Sequence, residues 1–186
     1  AALIDMAGWT APEVVSKSPV AMVIDFPEIL DLLSDKEAKK ARERVETDRK
    51  TLRDWMRRGR AYVGAIANGH TKRSEDDDEL RALVPVVRGE LPILLKADTE
   101  DGIRAALAFA DEFGLDAILV GTRDVWRTVD AIAKAGVPVI LGPIENPPAP
   151  GDPYDAVFTA ASLLQDAGVP FCFRTGGATN ARNLPY

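Results

Sequence analysis

Lys96 and Asp98 stand where the apolar run Leu91-Pro92-Ile93-Leu94-Leu95 gives way to Ala97 and Thr99. A short apolar run bounded by turn signals reads as a buried strand. In α/β proteins the ends of such strands are where chemistry sits. A lysine there can act as a Schiff-base nucleophile if burial lowers its pKa. Residues i and i+2 of a strand also face the same side, so the same pair reads as an ion pair. The ion pair is preferred, because no second catalytic group is evident beside it.

A second candidate is the loop Arg174-Thr175-Gly176-Gly177 running on to Arg182 and Asn183. Glycines allow close backbone approach, and N–H groups there could cradle an anion beside Arg174 and Arg182. The loop lacks the lysine-bearing phosphate-loop signature, so a tight loop with salt-bridged arginines is the simpler reading. His70 falls in a polar stretch and reads as solvated. Cys172, between Phe171 and Phe173, reads as a buried, inert thiol. The acidic run Glu75 to Glu79 lacks the glycine turn and spaced ligands of a calcium loop. Trp126 reads as core or interface packing.

These residues need elements to position them. The chain has 186 residues, enough for one domain with a sizeable core. A net charge of −6 argues against nucleic acid as a partner. No stretch approaches the roughly 18 apolar residues of a membrane span, and none has a signal-peptide layout. One cysteine excludes an internal disulfide but leaves the compartment open. One histidine excludes any site that needs several from this chain.

Residues 1–33 form an early apolar segment broken by prolines, with a strand expected over Pro19 to Phe26. Residues 34–80 form a long charged helix and a polar loop. The helix is expected over 34–66, opened by a Ser34/Glu37 capping box, with Val45, Leu52, Trp55 and Met56 as its apolar stripe. Asn68 to Glu79 reads as the loop, and Leu83 to Val87 as the start of a short element. From residue 81 to 186 strands and helices alternate. Strands are expected at Leu91–Leu95, Ala117–Val120, Val137–Leu141 and Val169–Phe173. Helices are expected at Glu100–Phe113, Asp124–Ala135 (with Thr122 as N-cap) and Asp155–Ala167, stopped by Gly114, Gly136 and Gly168. Strands apolar on both faces, alternating with amphipathic helices, predict a parallel sheet. That fits part of a (β/α)8 barrel or an open doubly wound sheet. The lack of a glycine-rich fingerprint at a first strand–helix turn argues against the latter. A full barrel takes about 250 residues, so the chain reads as a single partial domain of a longer polypeptide.

Several stretches resemble the amidohydrolase superfamily, in its imidazolonepropionase-like and prolidase-like branch. Leu83-Val84-Pro85-Val86-Val87-Arg88-Gly89-Glu90-Leu91-Pro92 resembles the segment leading into the fifth barrel strand. Asp101-Gly102-Ile103 and Ala108 to Gly114 resemble the helix that follows. Gly121-Thr122, Ala135 to Pro143, Ala167 to Pro170 and Ala181 to Tyr186 continue the likeness in order. Ala2 to Thr10 also fits, more weakly. The resemblance implies a parallel (β/α) array forming part of a TIM barrel. It implies metal-dependent hydrolysis of C–N bonds in cyclic amides or dipeptides, with zinc or another divalent metal activating water.

The resemblance also places the ligand positions. The fifth-strand histidine falls on Lys96 and a second histidine of the branch on Asp98. The sixth-strand histidine falls on Val120, and the eighth-strand aspartate on Gly176. Lysine repels a cation, valine has no lone pair, and glycine has no side chain. The expectation is therefore a non-catalytic homologue with no metal of its own. It would bind a small ligand, a second copy of itself, or an active amidohydrolase paralogue. The alternative is an active hydrolase or Schiff-base-type enzyme rebuilt around Lys96 and Asp98.

Overall fold

The computed structural model describes residues 1–4, 10, 15–30, 35–69, 77–121, 123–144, 148 and 150–177. Two short antiparallel strands, β1 (Leu3–Ile4) and β2 (Val15–Lys17), open the chain. They lead into β3 (Met22–Asp25), followed by helix α1 (Asp35–Ala67) and helix α2 (Asp78–Val87). Then come β4 (Ile93–Lys96), α3 (Glu100–Glu112), β5 (Ala117–Gly121), α4 (Val125–Ala135), β6 (Val139–Leu141), α5 (Ala156–Asp166) and β7 (Phe171–Phe173).

Strands β3 to β7 form one sheet in consecutive order, and every pairing is parallel. Consecutive parallel order with a helix in each connection is the layout of a (β/α) barrel section. A doubly wound sheet would reverse strand order at a switch point, and this one does not.

The apolar pattern explains the layering. Ile93, Leu95, Leu119, Val139 and Leu141 point to one side of the sheet and are at most 1% exposed. They meet Ile103, Ala106 and Ala110 of α3, Ile132 of α4, and Ala160 and Leu164 of α5. Phe109 sits among them, tilted against Phe26 and Phe113 at ring-centroid distances of 5.8 and 5.1 Å. Met56 brings α1 onto the same core, and Leu52 packs against it. Gly136 ends α4 in the left-handed region at φ 66°, as a glycine C-cap should.

The opposite face of the sheet carries Val23, Leu94, Ile118, Val120, Ile140 and Cys172, as the strand register requires. Val23 is 42% exposed and Cys172 is exposed. Leu94, Ile118 and Ile140 are half-buried. Among the described residues no helical layer covers this face.

Several expectations need correction. Cys172 is exposed, not buried, because it lies on the open face. The polar stretch 68–79 does not run unbroken to Glu79: Asp77 caps α2, accepting from the backbone N–H groups of Glu79 and Leu80. Its neighbours Asp78 and Glu79 form an acidic first turn that suits the helix dipole. Pro85 sits within that helix near its end. The N-cap position of α4 is Asp124, not Thr122. The β1–β2 pair was not foreseen, and most strands are shorter than the apolar runs. Ser34, His70, Thr122 and Arg182 lie outside the described residues.

Candidate functional site

The C-terminal ends of β3, β4 and β5 form a rim in which charged side chains and backbone groups tie the loops together. Lys96 and Asp25 are register partners on adjacent strands. Lys96 Nζ lies 2.9 Å from Asp25 Oδ1. Lys96 is therefore ion-paired with Asp25 on the neighbouring strand, whereas the expected partner was Asp98, two residues along its own strand. Parallel pairing brings Asp25 level with Lys96 and leaves Asp98 beyond the end of β4. Lys96 is nearly half exposed and Asp25 more so, so the surroundings do not desolvate the amine.

Asp98 serves the loop. Its Oδ1 accepts from Arg123 N at 3.4 Å, and its carbonyl accepts from Asp124 N at 2.9 Å. Asp124 in turn accepts from Glu100 N at 3.0 Å through Oδ2. The β4–α3 and β5–α4 connections are thus joined directly.

Glu28 completes the arrangement, and sequence reasoning missed it. The first N–H groups of a helix lack intrahelical partners and attract negative charge. At α3 the Glu28 carboxylate accepts from Asp98 N (2.9 and 3.1 Å), Thr99 N (2.8 Å) and Thr99 Oγ1 (2.7 Å). Thr99 is the N-cap and accepts from Gly102 N at 3.0 Å. A Cβ on residue 102 would fall far inside contact distance of Glu28 Oε2 and 2.8 Å from Thr99 Oγ1. Gly102 therefore has a steric purpose: it leaves room for the carboxylate. No local motif links Glu28 to residues some 70 positions later, so only the fold reveals it. Gly121 plays a similar part, since a Cβ there would collide with the Ala97 carbonyl.

Val120 is the register partner of Lys96 on β5 and is 5% exposed. Arg174 follows β7, and its backbone N–H bonds the Leu141 carbonyl at 2.9 Å. Its side-chain Cγ packs over Gly142. The Nε atoms of Arg174 and Arg123 are buried and have no hydrogen-bond partner among the described residues. Arg123 reaches the Leu30 carbonyl through Nη1 at 2.9 Å. Thr175 is half-buried, and Gly176 and Gly177 are exposed.

At the rim the ammonium of Lys96 already holds a carboxylate, Val120 offers only carbon, and Asp98 is engaged with the neighbouring loop. Among the described residues no three His, Cys, Asp or Glu side chains gather as a ligand set. No helix is long and apolar enough to cross a membrane.

No family model matches the chain, and no curated protein does. Among solved structures, an amidohydrolase from Thermotoga maritima MSB8 superposes with a TM-score of 0.71 at 20% identity. The match covers 92% of this chain and 45% of that one, so this chain spans less than half the length of its structural neighbour. At that identity the likeness shows the fold alone, and the fold it shows is amidohydrolase-like.

Proposed function

We propose that this chain is an amidohydrolase homologue that has given up metal-dependent hydrolysis and binds a small anionic ligand at the C-terminal rim of its sheet. The observation that carries the reading is the Lys96–Asp25 ion pair, 2.9 Å long, at a position where the family resemblance puts a metal-binding histidine and an ammonium has no lone pair to give. Val120, level with Lys96 on the next strand, supplies no donor either. What the rim does offer is unpaired hydrogen-bond donors. Arg174 and Arg123 each bury an Nε that lacks an acceptor among the described residues. A buried donor without an acceptor is costly, and a carboxylate or phosphate oxygen relieves that cost.

Two measurements test the reading. Metal analysis of the purified protein is expected to show substoichiometric zinc and manganese. Assays on dipeptides and cyclic amides are expected to show no chelator-sensitive turnover. Stoichiometric metal together with hydrolysis that a chelator abolishes overturns the proposal. Titration with inorganic phosphate and succinate is expected to show saturable binding that R174Q weakens at least about tenfold, consistent with loss of a charge-assisted pair. Binding that R174Q leaves unchanged removes Arg174 from the site.

A further inference from the structure

At the opposite end of the sheet from the rim, a cleft of about 570 Å³ opens between α3 and α4. Its lining comes from those two helices and from the turns that lead out of them into β5 and β6. Small-molecule sites have volumes of about 300–1,000 Å³ and combine an apolar lining with a few placed polar groups. This cleft has that make-up. Leu107 and Ala110 are buried in its wall, and Leu115 and Val137 are half-buried there. Ala108 and Ala131 are too short to fill the gap between the helices. The charged residues that line it are Arg104, Asp111 and Lys134. Arg104 is engaged, its Nε 3.0 Å from Glu100 Oε1 and its Nη2 3.7 Å from Asp130 Oδ1. Lys134 and Asp111 stand on the two facing helices, and among the described residues their side chains pair neither with each other nor with a third group. Lys134 lies in the last turn of α4, where the helix dipole favours a cation. Asp111 lies in the last turn of α3, where the dipole disfavours a carboxylate. Its neighbour Glu112 offsets the same penalty with Arg53 and Arg57, at 2.9 and 3.4 Å. Asp111 has no such cation, so helix stability does not account for it.

We infer that this cleft binds a free apolar α-amino acid, with the carboxylate on Lys134, the ammonium on Asp111 and the side chain against the apolar wall between α3 and α4. Charge complementarity selects the ligand. A simple carboxylate satisfies Lys134 and is repelled by Asp111; a simple amine does the reverse. A zwitterion satisfies both, and each contact is a charge-assisted hydrogen bond. A zwitterion without an apolar side chain leaves Leu107, Leu115 and Val137 uncovered. The cleft lies away from Arg174, which follows β7 at the rim, so this inference and the functional reading can fail separately.

Calorimetric titration of the protein with L-phenylalanine and L-leucine provides the test. Both are expected to bind saturably, and glycine at least about tenfold more weakly, because it buries no apolar side chain. Two analogues of phenylalanine separate the charges: 3-phenylpropionate lacks the ammonium and phenethylamine lacks the carboxylate. Each is expected to bind at least about tenfold more weakly than phenylalanine. K134Q is expected to abolish the preference for phenylalanine over phenethylamine, and D111N the preference over 3-phenylpropionate. Both side chains are exposed, so neither substitution threatens the fold. Amide NMR shifts during the phenylalanine titration are expected to map to Leu115 and Val137 and not to Arg174, and R174Q should leave the affinity unchanged. Failure of both amino acids to bind saturably overturns the inference. So does phenylalanine binding that K134Q and D111N leave intact, or an analogue lacking one charge that binds as tightly as phenylalanine. Binding that R174Q abolishes moves the amino acid to the rim and overturns it equally.

Discussion

Replacing Gly102 with alanine is expected to destabilise the protein in its natural background and to stabilise it once Glu28 has been removed. The reasoning starts from the helix start at α3. Glu28 accepts three donors there at 2.7 to 2.9 Å, two of them backbone N–H groups. Losing an N-terminal acceptor of this kind costs about 2–3 kcal/mol, since charged acceptors count for more than neutral ones and water restores only part of the loss. An alanine Cβ at 102 would displace the carboxylate and crowd Thr99 Oγ1. It would also gain about 1 kcal/mol of helix propensity over glycine. G102A should therefore cost about 1–2 kcal/mol net, the lost cap less the propensity gain. With E28A already in place there is no carboxylate to expel, and the propensity gain should emerge as up to about 1 kcal/mol of stabilisation. Urea unfolding of the four proteins gives the coupling directly, and about 2–3 kcal/mol is expected. Equal costs for G102A in the two backgrounds would refute the steric argument. So would a destabilising G102A in the E28A protein.

Other substitutions probe the remaining links. Arg49 is 7% exposed, bonds Pro27 O at 2.9 Å and Asp101 Oδ2 at 2.7 Å, and lies over the Phe26 ring; R49K should cost about 1–3 kcal/mol in urea unfolding, because an ammonium cannot reproduce that fork. F109A, which empties the centre of the aromatic cluster, should cost about 3–5 kcal/mol in the same assay. K96M should change stability by less than about 1 kcal/mol, with the difference shrinking in high salt, because the pair it breaks is solvent-exposed. Borohydride in the presence of an aldehyde should trap no more adduct on the native protein than on K96A; selective trapping at Lys96 would favour a Schiff-base enzyme.

The sequence foretold the helices best. Ile103, Ala106, Leu107 and Ala110 recur at helical spacing, and all four are buried. Gly114, Gly136 and Gly168 each take positive φ just past a helix, which a side chain rarely tolerates. Strand content was legible and strand burial was not. An apolar residue such as Cys172 or Val23 shows that a face is meant to be covered, but not whether the cover lies in the same chain. Asp78 and Glu79 misled because a helix's first turn is acidic for electrostatic reasons and then resembles a polar loop. The rim was half legible. Lys96 and Asp98 were correctly located at a strand end, yet the partners that define their roles, Asp25 and Glu28, lie some 70 residues earlier. Parallel pairing joins residues distant in sequence, and local spacing holds no trace of that.

The rim and the open face set different constraints. Around Glu28, Asp98, Thr99 and Asp124 the donors and acceptors of two loops are matched, and Gly102 and Gly121 are shaped to permit it. Such matching fixes loop positions without placing a free reactive group among them. Lys96, the one amine among the described residues of that region, is partly solvated and ion-paired. By contrast, among the described residues the Nε donors of Arg123 and Arg174 lack acceptors, and the strands inward of them lack a cover. An unmatched donor calls for an oxygen, and an uncovered apolar strand calls for carbon. The first need suits a small anion and the second an apolar surface. The two are therefore separable: R174Q should weaken anion binding without changing the reactivity of Cys172 toward a thiol reagent, since that residue is already exposed.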